Sequence, residues 1–96
     1  MSDLTLDSMR RRLEQAGVLR AWVFGSAVHG TMRPGSDVDL LIETDREHPL
    51  GLLALGRLQM DLTDMAGRPV HLTLLGGVPA SARKDLLHHS RALHAA

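Results

Sequence analysis

Apolar residues recur at three- and four-residue steps in two parts of the chain, and this spacing is typical of helices with one buried face. Thr5 suits the N-cap of the first helix, and Gly17 suits its C-terminal stop. Pro49 suits the opening of the longer helix, and Gly67 suits its end. With two shorter segments included, helices are predicted over 5–17, 27–31, 49–66 and 79–89.

Short apolar runs between these helices predict three strands, over 18–24, 38–43 and 70–75. The last residues, 90–96, predict either one further short element or a frayed end. Because helices and strands alternate, we expect an α/β (α+β) fold with a small mixed sheet of three to four strands and helices packed on it. No linker or internal repeat divides the sequence, which predicts a single domain over 1–96.

Composition narrows the classes of function. The 96 residues include eleven basic and eleven acidic side chains, one Trp, one Phe and no Tyr. Because the charges balance, the protein has no net positive charge to attract polyanions. Few aromatic rings are present for bases to stack on, so extended nucleic-acid binding is not expected. The absence of Cys, of a signal-peptide pattern and of a run of roughly 18 apolar residues predicts a cytoplasmic protein without a membrane partner.

Two short motifs lie where the first predicted strand ends and the second begins. The first strand runs into Gly25-Ser26, and the second starts at Asp37-Val38-Asp39. Side chains alternate along a strand, so Asp37 and Asp39 share one face, with their Cα atoms roughly 6.6 Å apart. Two carboxylates at that separation can hold a divalent ion such as Mg²⁺ or Mn²⁺.

The other motif has the features of a phosphate cradle. Gly25 lacks a Cβ, so its backbone can approach a ligand closely, and Ser26 begins a predicted helical turn whose free N–H groups attract phosphate. Arg33, in the following loop, is either a contact for triphosphate oxygens or a solvated loop charge. A phosphate cradle beside a carboxylate metal site is what nucleotidyl transfer from a triphosphate needs. Each motif alone is more often structural, but the pair at this spacing favours a functional origin.

These motifs and their neighbours resemble the polymerase-β-like nucleotidyltransferase superfamily, and in particular the minimal nucleotidyltransferases of prokaryotes. The resemblance rests on the runs FGSAVHG at 24–30, RPGSDVDLLI at 33–42 and GRPVHL at 67–72. It covers nearly the whole chain and implies the nucleotidyltransferase fold, with ATP as substrate and Mg²⁺ (or Mn²⁺) as cofactor. It also implies nucleotide binding by Gly25 and Ser26, and catalytic, metal-binding roles for Asp37 and Asp39, while Arg33 is a nucleotide-binding candidate on its chemistry alone.

The chain departs from the family pattern at one position. Members usually carry a third carboxylate within a Val-Asp-Leu triplet on the third strand, and here the triplet is Val70-His71-Leu72. A neutral imidazole binds Mn²⁺, Co²⁺, Ni²⁺ or Zn²⁺ but is a poor Mg²⁺ ligand. His71 is therefore a candidate third metal ligand, a candidate general base for the acceptor hydroxyl, or a substitution at a decayed site.

At 96 residues the chain has no room for a further domain to hold an acceptor, so we expect another protein to bring it. Minimal nucleotidyltransferases are often encoded with a HEPN-domain ribonuclease toxin and act as its antitoxin, and some transfer AMP from ATP to a tyrosine of that toxin. The resemblance thus implies the antitoxin of a HEPN/MNT toxin–antitoxin pair. The alternatives are a catalytically impaired module that neutralises its partner by contact, and a small-molecule adenylyltransferase subunit.

Other side chains are expected at the surface. Three leucines can lie at the surface, where they would suit an interface with a partner protein or with a second copy of the chain: Leu52, Leu55 and Leu87. Charged groups expected on solvated faces are His88, His89, His94, Glu43 and the run Arg10-Arg11-Arg12.

Overall fold

A computed structural model describes residues 3–24 and 37–95 of the chain. The elements follow in the order α1 (Asp3–Gln15), β1 (Val18–Phe24), β2 (Val38–Thr44), α2 (Leu52–Ala66), β3 (Val70–Leu74), α3 (Ala80–His88) and β4 (Ser90–Ala95). A short 3₁₀ turn, Leu75–Gly77, lies between β3 and α3. The helix predicted over 27–31 lies outside the described residues.

The strands form one four-stranded sheet in the order β3-β2-β1-β4. β1 pairs antiparallel with both β2 and β4, whereas β2 and β3 run parallel. A parallel pair needs a crossover connection, and α2 provides it between β2 and β3. The predicted mixed sheet is confirmed, and 90–96, for which the sequence left two options, contributes the fourth strand.

Glycines end α1 and α2 as predicted. Gly17 has φ 83° and Gly67 has φ 69°, in the left-handed region that ends a helix and that glycine enters without strain. The predicted start of α1 is wrong by two residues, because helical backbone already begins at Asp3 and Thr5 lies within the helix. None of the helices in 3–24 and 37–95 is long and apolar enough to cross a membrane.

The start of α2 also differs from the prediction. The sequence predicts that Pro49 opens this helix, but the N-cap is Gly51, whose φ of −69° and ψ of 163° are extended, and the helix begins at Leu52. Proline at a first helical position is a local signal, and here the chain leaves β2 through a bend at 46–48 before the helix starts. The observed bounds of β1, β2, β3 and α3 agree with the predicted ones to within one residue at each end.

The core lies between one face of the sheet and the helices α1 and α2. Eight of its side chains have no exposed surface: Met9, Leu13, Ala21, Val38, Leu40, Ile42, Leu58 and Leu62. Leu41 follows Leu40 in the strand and therefore points to the opposite face, where it too is fully buried outside this cluster. The middle of β2 is thus buried at three consecutive residues, Leu40, Leu41 and Ile42, which makes β2 a rigid support for the residues at its start.

Side chains of α2 close the outer edge of β3. Val70 donates its N–H to Thr63 Oγ1 at 3.1 Å, and Leu72 donates its N–H to Gln59 Oε1 at 3.0 Å. Unpaired donors at a sheet edge attract further strands, and these two are satisfied. The two bonds also fix α2 against the strand that carries His71.

The arginine run of α1 joins elements together. Arg12 forms an ion pair with Asp61 of α2 at 2.9 Å, and its side chain is only 20% exposed. Arg10 donates through Nε to the carbonyl of Leu93 in β4 at 2.7 Å and also pairs with Asp7. The expectation that the whole run is solvated is therefore wrong for Arg10 and Arg12, which connect α1 to its neighbours.

We expect Leu58→Ala to lower the free energy of unfolding by about 3 kcal/mol, because it removes a fully buried side chain and leaves a cavity. Leu53→Ala is the matched control, since Leu53 lies in the same helix and is 92% exposed. Its effect should stay within about 0.5 kcal/mol. Urea unfolding of the two variants checks this, and equal losses would contradict the placement of the core.

Candidate functional site

Asp37, Asp39 and His71 lie together at the start of the parallel pair β2–β3. In the register of the sheet, Asp39 is opposite His71 on β3 and opposite Phe24, the last residue of β1. The residues that alternate with them along β2 and β3 are buried in the core: Val38, Leu40 and Val70. Alternation therefore puts the two carboxylates and the imidazole on the face of the sheet away from α1 and α2.

His71 is hydrogen-bonded to Asp37, with Nε2 2.9 Å from Oδ2. An ionised carboxylate only accepts hydrogen bonds, so Nε2 carries the proton in this contact. The side chains of His71 and Asp37 are 52% and 54% exposed. An exposed pair of this kind adds little to stability, so its importance lies in how it holds the Asp37 carboxylate.

A backbone hydrogen bond ties the starts of β2 and β3 together. Val38 donates its N–H to the carbonyl of Pro69 at 2.8 Å. Val38 directly follows Asp37, and Pro69 lies two residues before His71. Because the bond joins the segments that carry these side chains, their separation is set by the sheet.

The donor set offers oxygen ligands for a divalent ion. The carboxylates of Asp37 and Asp39 share a face, and Mg²⁺ and Mn²⁺ prefer such oxygens. Metal coordination by His71 Nε2 would require the Nε2 proton to move to Nδ1 and the contact with Asp37 to break. In the observed arrangement the two aspartates are therefore the available ligands, while His71 engages one oxygen of Asp37.

The remaining predicted nucleotide-binding residues, Gly25, Ser26 and Arg33, lie outside the described residues, and their roles stay predictions. The described part of β1 ends at Phe24, beside Asp39 in the sheet. Glu43, farther along the same face of β2 than Asp39, accepts a hydrogen bond from Arg20 Nε at 2.7 Å. Glu43 therefore belongs to a surface ion pair, apart from Asp37 and Asp39.

The histidines near the C-terminus have two different environments. His88 and His89 are exposed, as expected, and their ring centroids lie 5.2 Å apart in an edge-to-face arrangement. His94 is half-buried, and its Nε2 is enclosed without a hydrogen-bond partner among the residues described. The expectation that His94 is solvated is wrong, because β4 pairs with β1 and brings His94 opposite Ala21.

The turn after β2 holds a second group of potential ligands, which the sequence did not indicate. One ligand atom from each of Asp45, Glu47 and His48 lies within 4.8 Å of the others. The Glu47 N–H donates to Asp45 Oδ1 at 2.9 Å, and this bond, together with the contact to His48, lowers the pKa of Asp45 below its usual range. These internal hydrogen bonds account for the shape of the turn, and we assign it no ion.

Comparison with known proteins relates the chain to nucleotidyltransferases. The family model described as "Nucleotidyltransferase domain" matches residues 5–93. No curated protein matches the sequence. A solved structure described as a minimal nucleotidyltransferase is similar over 91% of this chain and 87% of its own, with 26% identity and a TM-score of 0.79.

Two complexes contain similar chains. A chain of a toxin–antitoxin structure with AMP-PNP matches 95% of this chain and 73% of its own, with 18% identity and a TM-score of 0.80. A chain of the Shewanella oneidensis complex between a tri-AMPylated HEPN toxin and an MNT antitoxin matches 100% of this chain and 74% of its own, with 16% identity and a TM-score of 0.75. At these identities the similarity shows a common fold.

Proposed function

The chain belongs to the nucleotidyltransferase domain family, and we propose that it is the antitoxin of a HEPN/MNT toxin–antitoxin pair that transfers AMP from ATP to a tyrosine of the toxin. The observation that carries the proposal is the position of Asp37 and Asp39 on one sheet face, next to His71. The family match and the similar chains in toxin–antitoxin complexes support it.

In the proposed reaction, a tyrosine oxygen attacks the α-phosphorus of ATP, the bond to pyrophosphate breaks, and the hydroxyl proton passes to a base. Asp37 and Asp39 hold divalent metal, while Gly25, Ser26 and Arg33 bind the triphosphate. A bound Mg²⁺ or Mn²⁺ ion supplies neutralisation of phosphate charge. The rigid start of β2 keeps the two carboxylates at a fixed separation, so that little reorganisation is needed when substrate binds.

His71 contributes to this site through Asp37. Its Nε2–H holds one oxygen of the Asp37 carboxylate at 2.9 Å and so limits the rotation of that side chain. The other ring nitrogen, Nδ1, takes no part in this bond and can accept a proton in the general-base role that the sequence leaves open. In both roles the hydrogen bond to Asp37 holds the imidazole beside a proposed metal ligand.

Transfer of labelled AMP tests the proposal. The protein is incubated with α-labelled ATP, Mg²⁺ or Mn²⁺, and the HEPN-domain protein encoded nearest to it. We expect label on a tyrosine of the HEPN protein, dependent on the metal and on this chain. Failure to label the HEPN protein with either metal, in a mixture where the two proteins form a complex, would contradict the transferase activity.

His71 also favours a second candidate function, in which the protein neutralises its partner by contact without chemistry. The imidazole replaces a negative charge expected at the third ligand position and engages an oxygen of Asp37. α2 adds apolar surface that a protein partner can cover: Leu52, Leu53 and Met60 are 85%, 92% and 69% exposed.

The two candidates predict different responses to the loss of a carboxylate. If contact is sufficient, a stable complex forms without ATP, and Asp39→Ala inhibits the ribonuclease activity of the HEPN protein as well as the native chain does. If transfer is required, inhibition depends on ATP and is lost in Asp39→Ala. Ribonuclease assays with and without ATP distinguish them.

A further inference from the structure

A cavity of about 240 Å³ lies at the carboxyl ends of β2 and β3, at the far end of these strands from Asp37 and Asp39. Its walls come from the end of β2, the turn that follows it, the 3₁₀ turn after β3 and one residue of α3. Thr44 lies five positions after Asp39, which corresponds to roughly 16 Å along a strand. The cavity is therefore separate from the proposed nucleotidyl-transfer site.

We propose that this cavity binds the carboxylate or phosphate group of a small molecule between Arg46 and Arg83. Arg83 donates Nε to the carbonyl of Val78 at 2.9 Å, which anchors the side chain and leaves its terminal nitrogens without a partner in the described part of the chain. Arg46 has no hydrogen bond or ion pair to any described residue. Guanidinium groups match the paired oxygens of carboxylates and phosphates.

Two carboxylates also line the cavity, and each is engaged elsewhere. Glu43 accepts from Arg20 at 2.7 Å. Asp45 accepts from the backbone N–H of Glu47 at 2.9 Å and lies 3.4 Å from His48. Arg20 compensates the charge of Glu43, so that Asp45 is set against two guanidinium groups, and the charged residues of the lining keep a positive balance that favours an anion.

Gly76 and Gly77 keep the cavity open beside the arginines. Neither is among the glycines with positive φ, and a Cβ built on either would meet no atom within 4 Å. Neither backbone conformation nor close packing therefore requires glycine at these positions. Leu74 and Leu75 provide apolar wall, and the volume is below the roughly 300–1,000 Å³ of cavities for larger ligands, which indicates a small organic anion.

Amide NMR spectroscopy of the full chain tests the proposal, with inorganic phosphate and isovalerate as separate probes. We expect one of them to shift the amide signals of Gly76 and Gly77 saturably, and the better probe identifies the preferred anion. Arg46→Gln should weaken that binding about tenfold, because it removes a charge-assisted contact. Arg57→Gln is the control, since Arg57 is an exposed arginine of α2 outside the cavity, and it should leave the affinity unchanged.

A second variant tests the cavity without altering charge. Gly77→Leu should fill the space and remove binding while the other amide signals keep their native positions, since a Cβ at this position meets no atom within 4 Å. The proposal is overturned if neither probe shifts Gly76 and Gly77. It is equally overturned if binding survives in Arg46→Gln and Gly77→Leu at native affinity, or if shifts are confined to the surroundings of Asp37 and Asp39.

Discussion

Replacing Asp37 and Asp39 together by asparagine should reduce AMP transfer at least about a thousandfold, since metal-assisted charge stabilisation supplies several kcal/mol in the transition state. Asparagine keeps the shape of each side chain but removes the negative charges that attract a divalent ion. Asp37 is exposed and Asp39 half-buried, so the fold should be retained. The measurement is the initial rate of label transfer to the HEPN protein, together with the thermal unfolding midpoint.

Glu43→Gln is the matched control for this double variant. Glu43 lies on the same face of β2 as Asp39 and has an arginine partner, yet it is outside the Asp37–Asp39 pair. Transfer should be unaffected by this change. A double variant that transfers AMP at the native rate would exclude Asp37 and Asp39 as metal ligands, whereas an equal loss in Glu43→Gln would point to a general effect on β2.

His71→Asp should tighten the binding of Mg·ATP by at least about tenfold, an effect that even partners outside the metal's inner sphere have on affinity. The change supplies the third carboxylate and removes the Nε2–H that engages Asp37. Calorimetric titration of the native protein and the variant with Mg·ATP measures the difference. Binding detected in the variant alone would show that His71 prevents the native site from binding Mg·ATP.

Thr73→Asp separates the effect of a carboxylate at position 71 from the effect of added negative charge in general. Thr73 is exposed on the same face of β3, two residues beyond His71, so a carboxylate there adds the same charge without touching Asp37. We expect little change in Mg·ATP binding. If the two variants tighten binding equally, net charge explains the effect, and if His71→Asp leaves binding unchanged, the third carboxylate does not limit the native site.

Sequence periodicity predicted the sheet well where the signal is local. β1 extends over the predicted residues 18–24, and the left-handed glycines mark the ends of α1 and α2. β4 could not be assigned in the same way, because its alternation is weak and its pairing with β1 depends on contacts distant in sequence. The burial of His94 follows from that pairing, which explains why the sequence placed His94 on a solvated face.

In the candidate site, too, the features set by neighbouring residues in the sequence were predictable, and those set by strand pairing were not. Alternation alone put Asp37 and Asp39 on one face, and the parallel register of β2 and β3 adds His71. The hydrogen-bond partner of His71 was not predictable from spacing. The register puts His71 opposite Asp39, yet its Nε2 bonds to Asp37, because Asp37 lies just before β2, where a backbone hydrogen bond joins the starts of both strands.

The hydrogen bonds from Thr63 and Gln59 to β3 have a consequence for how an acceptor reaches this site. They occupy the outer donors of Val70 and Leu72, so an extended segment of another protein cannot join the sheet beside His71. In the proposed reaction the tyrosine then arrives over the face that carries Asp37, Asp39 and His71, presented from a helix or a loop tip. The geometry of the sheet edge thus selects acceptors by the shape of the backbone that carries them.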